Sequence, residues 1–122
     1  MALSSEVRQL CRALLPPSER IEFVFPALSV GQPGMISLLV VVGTSGVTLL
    51  ACKFFQRHVP ESVWATFPRS IRLAPEPTAD GQIIELGTMR LEIDEEYVPV
   101  ARAADAVHAD RAGLPPDPLP DL

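Results

Sequence analysis

The chain has 122 residues, of which 48% are hydrophobic, and a formal net charge of −5. That length suits a single domain with one real core, and that composition excludes a disordered chain. An acidic balance without a long basic run also excludes nucleic-acid binding, which needs clustered cations to neutralise phosphates.

The charge is unevenly spread. Residues 1–52 balance, with Arg8, Arg12 and Arg20 against Glu6, Glu19 and Glu22. Residues 53–72 carry Lys53, Arg57, Arg69 and Arg72 against Glu61, a local +3, and residues 73–122 carry three arginines against eleven acids, a local −8. Nine arginines against one lysine, with many Ala and Pro, match the usage of a high-GC bacterial genome. Cys11 and Cys52 have neither CxxC nor Cys/His spacing, so the pattern gives two buried, reduced thiols and no zinc site. The first fifteen residues carry Glu6, Arg8 and Arg12 where a signal peptide would be apolar. Together with the absence of catalytic chemistry, this leads to a cytoplasmic, non-enzymatic domain over residues 1–112.

In chain order, Ser4 or Ser5 caps a first helix whose apolar stripe is Val7, Leu10, Cys11 and Leu14, ended by Pro16-Pro17. Ile21–Val30 alternates, with Ile21, Phe23 and Phe25 on one face, and Pro26 marks it as an edge or a bulged strand. Gly31–Gly34 is a turn. Met35–Cys52 contains no charge over eighteen residues, long enough to cross a membrane as a helix. The central Gly43-Thr44-Ser45-Gly46 and the β-branched flanks favour two strands instead, Ile36–Val42 and Val47–Phe55, joined by a tight hairpin.

Gln56–Pro60 reads as a loop. Ser62–Phe67 reads as a strand with Val63, Ala65 and Phe67 on one face and Trp64 and Thr66 on the other. A short strand over Ile71–Ala74, a loop over Pro75–Gly81 and a strand over Gln82–Leu86 follow. Met89, Leu91 and Ile93 then alternate with Arg90, Glu92 and Asp94, the clearest half-buried strand of the chain. Pro99 suits the first turn of a closing helix whose stripe is Val100, Ala103, Ala104 and Val107, ended by Gly113. Residues 113–122 form an acidic, proline-rich tail expected to be disordered.

Seven short strands followed by a helix predict a mainly β (α+β) fold: an antiparallel barrel or orthogonal sandwich capped by the C-terminal helix, with an extra N-terminal helix. The order resembles that of pleckstrin-homology-like domains. Leu14-Leu15-Pro16-Pro17-Ser18-Glu19-Arg20-Ile21 is similar to the L-x-P-G-E-x-(V/I) opening of the bacterial PH-like domains, with Ser18 in place of the glycine. Val40–Leu50 is similar to their hydrophobic-T-x-x-(R)-hydrophobic hairpin, with Gly46 or Val47 where an arginine often stands. The resemblance spans roughly residues 14–110 and implies a binding module for lipids, peptides or proteins. The lipid-binding members place Lys/Arg around the first hairpin loop, and Ala27–Gly34 has none, so phosphoinositide binding does not carry over.

Candidate chemistry is sparse. His58 and His108 have no metal partner or nucleophile nearby in sequence, and Cys52 ends an apolar run that disfavours a thiolate. Asp94, Glu95 and Glu96 suit the N-terminal pole of the late helix better than acid–base work. No catalytic residue, metal site or cofactor is expected. The remaining candidates for contact with a partner are Lys53, Arg57, His58, Trp64, Arg69 and Arg72, because an aromatic among arginines is the make-up of an interface hot spot. The reading is a protein–protein adaptor or regulator, with a membrane-associated lipid sensor using the +3 segment as its alternative.

Overall fold

The computed structural model describes residues 5–30, 35–53 and 56–111, with Arg57 described by its backbone alone. The Ser4 cap, the Gly31–Gly34 turn, Phe55, Gly113 and the tail lie outside the described residues. The elements are α1 (Ser5–Arg12), β1 (Ile21–Val30), β2 (Ile36–Gly43), β3 (Gly46–Lys53), β4 (Gln56–Pro68), β5 (Glu76–Thr78), β6 (Gly81–Leu86), β7 (Met89–Ile93), a 3-10 turn (Glu95–Tyr97) and α2 (Val98–Arg111).

The expected antiparallel body of seven strands with a helix at each end is present. One sheet runs in the order β4-β3-β2-β1-β7-β6-β5. It is open rather than closed, with β4 and β5 as its two edges. The uncharged stretch forms the β2–β3 hairpin, in register from Leu38↔Ala51 to Val42↔Val47. Among the described residues no helix is long and apolar enough to cross a membrane. The hairpin's apolar run follows from burial on both faces, which removes the need for polar alternation.

The two faces carry separate cores. Phe25, Leu38, Val40, Val42, Leu49, Leu86 and Leu91 join Tyr97, Ala101 and Ala104 beneath α2. Leu39, Val41, Leu50 and Val24 join Val7 and Cys11 beneath α1. The stripe of α1 is Val7 and Cys11, with Leu10 left 39% exposed. On α2 the expected stripe is rotated: Ala101 and Ala104 are buried, while Ala103 and Val107 are only half-buried. With Tyr97 they make an i, i+4, i+7 row, and their small side chains allow close approach to the sheet.

Three differences from the expected elements concern how the strands find their partners. Ile21 pairs with Gly43 and Phe23 with Val42, so Glu22 is an extra residue in a bulge. The bulge sends Ile21 to the α1 face, away from Phe23 and Phe25. Gln56–Pro60 is not a loop but the start of β4, whose pairing reaches Lys53↔Gln56 across several register shifts. The fifth strand is Glu76–Thr78, pairing with β6, whereas Ile71–Ala74 is irregular. There the backbone N–H groups of Leu73 and Ala74 donate to the Asp105 carboxylate of α2, at 2.9 Å each at their shortest. A side chain thus replaces a strand partner.

The hairpin turn at Thr44-Ser45 is closed from outside. The Glu19 carboxylate accepts from the Thr44 hydroxyl at 3.1 Å and from the Ser45 hydroxyl and amide at 2.7 and 3.2 Å. Gly43 leaves room for this approach: a Cβ there would displace the Glu19 carboxyl group.

Candidate interaction surface

The edge strand β4 spans thirteen residues, up to about 40 Å if fully extended. Its register against β3 goes from Leu49↔Ala65 to Leu50↔Val63, so Trp64 is an inserted residue. The same happens at Glu61, between Ala51↔Ser62 and Cys52↔Pro60. Ala65 and Phe67 point into the core beneath α2. Val63 and Trp64 do not: they are 48% and 47% exposed. A bulge re-aims side chains in this way, and it accounts for Val63 leaving the face it was expected to share with Ala65. The alternation rule holds for half of this strand and fails at the insertion.

The six candidate residues do not form one patch. Lys53 is exposed at the end of β3, and His58 is half-buried in the wide irregularity that follows Lys53↔Gln56. Arg57 lies between them, with its side chain outside the described residues. Trp64 stands midway along β4. Arg69, just past the other end, is only 8% exposed and turns inward, so it is not part of an exposed surface. Its Nη2 donates to the Ala104 carbonyl of α2 at 2.8 Å and lies 3.7 Å from the Glu22 carboxylate. Arg111, in the last turn of α2, meets the same carboxylate at 2.5 Å. Arg72 is exposed and lines a cavity of about 470 Å³ together with Arg102, Glu76 and Ile83.

The Glu22–Arg69–Arg111 cluster had no signal in the linear sequence. Its members are 42 or more positions apart, and the bulge that re-aims Glu22 is a property of pairing. The Nε and Nη1 groups of Arg69 and Oε1 of Glu22 have no hydrogen-bond partner among the described residues. Buried guanidinium donors of this kind are commonly satisfied by ordered water.

The other candidates resolve into structural roles. Asp94 accepts from Glu95 N at 3.1 Å as the cap of the 3-10 turn. Burial pushes the Cys11 thiol up to about 11, against a smaller opposing effect of Arg8. Burial, with a contribution from Cys11, pushes the Cys52 thiol up to about 11 as well. Both are thus thiols, not thiolates, at neutral pH, which leaves Cys52 a poor nucleophile. Among the described residues no group of three or more His, Cys, Asp or Glu is placed to hold a metal ion.

Comparison with family models, with curated proteins and with solved structures finds no match. The surface therefore has to be read from its own chemistry.

Proposed function

We propose that the chain is a non-enzymatic protein-binding module of PH-like type, acting in a bacterial cytoplasm, that engages its partner through side chains of β4. The observation that carries this reading is the outward-facing pair Val63 and Trp64 on an edge strand. Tryptophan is among the residues most enriched at binding hot spots, and an adjacent exposed β-branched residue enlarges the apolar contact. The strand order followed by a closing helix supports the PH-like reading, as it is the order that the resemblance implies.

The same strand is poorly suited to recognition by backbone addition. Insertions at Glu61 and Trp64 twist the edge, and Pro60 and Pro68 lack donors. Recognition by side chains follows. A partner captured from the native host should be lost with Trp64→Ala while the melting temperature stays the same. The expected loss is about 2 kcal/mol or more, roughly thirtyfold in affinity. Trp64 is the single tryptophan, so its fluorescence reports the site directly. Emission is expected at long wavelength in the free protein and should move to the blue when the captured partner is added. Unchanged emission on complex formation removes Trp64 from the interface. Flotation with anionic vesicles that depends on Lys53 and Arg72 would replace this reading by the lipid-sensing one.

A further inference from the structure

In sequence, the N-terminal segment is electrically neutral: three arginines face three glutamates. Folding separates them. Glu22 is carried by its bulge to the α2 face, where it is 11% exposed and paired with Arg111 and Arg69. Glu19 is committed to the β2–β3 turn. Burial acts to raise the Glu19 carboxyl but is outweighed by hydrogen bonds from Ser45, Thr44 and the Arg20 amide, which hold it ionised below its ordinary value. Glu6 lies outside the depression that the three arginines share.

That depression, open and about 470 Å³ in volume, lies between α1 and the segment leading into β1. Arg8, Arg12 and Arg20 line it with Ser18 and Glu19. Three arginines against one hydrogen-bonded carboxylate leave a local +2 around the depression. Arg12 is held in place by donating to the carbonyls of Pro16 and Glu19 and keeps further N–H groups available. Arg8 and Arg20 have no carboxylate partner among the described residues.

We propose that this groove binds a phosphomonoester on a partner protein, a phosphorylated side chain. Guanidiniums are suited to phosphate because each offers parallel donors to two oxygens. Three arginines around one open depression match one compact dianion. A lipid surface is a poorer match, because three cations hold a membrane only weakly. This inference is independent of the role proposed for Trp64.

The test is an NMR titration of the full chain at low salt with a capped Ala-Ala-phosphoserine-Ala-Ala peptide, its unphosphorylated twin and inorganic phosphate. Amide shifts are expected at Arg8, Arg12 and Ser18–Ile21 with the phosphopeptide alone. The affinity should rise as pH passes the second phosphate ionisation near about 6 and fall with added salt. Arg8→Gln and Arg20→Gln should each weaken binding about tenfold, one lost charge-assisted contact, with unchanged melting. Arg90→Gln, an exposed arginine elsewhere, should have no effect. The proposal falls if the unphosphorylated peptide binds equally, if no shifts arise, or if both groove variants bind like wild type. Inorganic phosphate binding as tightly as the phosphopeptide would assign the groove to the free ion instead. Flotation of phosphatidylserine vesicles that depends on Arg8 and Arg20, without phosphopeptide binding, would assign it to membrane.

Discussion

The two helices cover the two faces of the same sheet by different physics. Beneath α2 lies the larger core, and the helix is fixed by polar contacts as well: Arg69 to the Ala104 carbonyl, Asp105 to the Leu73 and Ala74 amides, and Arg111 to Glu22. Beneath α1 the core is smaller, the helix contributes only Val7 and Cys11 as buried side chains, and the Arg12 contacts to the Pro16 and Glu19 carbonyls stay within the segment that follows the helix. Apolar burial sets where each helix lies, but directional contacts set how firmly it is held in one place. The α2 face is therefore expected to be the stable frame and the α1 face the part that opens first.

The sharpest way to break this contrast is to remove a core side chain beneath α2. Phe25→Ala, in the core beneath α2, is expected to cost about 3–5 kcal/mol in urea denaturation. A cost below that of Val7→Ala would reverse this ranking of the two faces. Next in size is Asp105→Ala, which orphans two backbone amides and is expected to cost about 1–3 kcal/mol. If α2 amides exchange no faster in that variant, the polar contacts do not hold the helix. Val7→Ala is expected to cost about 1–2 kcal/mol by lost burial and to raise hydrogen exchange in α1 while α2 is unaffected.

The smallest effect concerns pH. The Glu19 carboxyl is lowered in the folded state, so its contribution is present above the unfolded value and is lost as pH falls through the folded one. Glu19→Gln should remove that part of the acid limb of stability. An acid limb identical to wild type would show that the turn does not depend on the carboxylate. The thiols behave in the opposite sense. Being raised from 9.0 to about 11, they favour folding at neutral pH and lose that contribution as pH rises between those values.

Much of the fold was legible. The β2–β3 hairpin followed from β-branched residues around Gly43–Gly46, and β7 from the alternation of Met89, Leu91 and Ile93. Pro99 marked the first turn of α2. What escaped was each place where a residue is inserted into a ladder. Glu22, Glu61 and Trp64 are extra residues only relative to a partner strand, and no local pattern encodes that. The candidate surface was half legible for the same reason. Trp64 was singled out by type, but Arg69 was grouped with it by proximity in sequence, and pairing carried one outward and the other into the protein.

The sequence by itself determined that apolar strands outnumber helices here, that the chain turns at Gly43–Gly46, and which residues are able to be buried. These depend on side-chain period and turn chemistry, which act over a few residues. Tertiary structure alone decided which charges remain available. Glu22 is carried away from the arginines beside it by a bulge, and the Glu19 carboxylate, though it stays in the groove, is engaged by a turn 25 residues away. The reason is physical: a charge acts over distances in space, and only the folded chain fixes those distances.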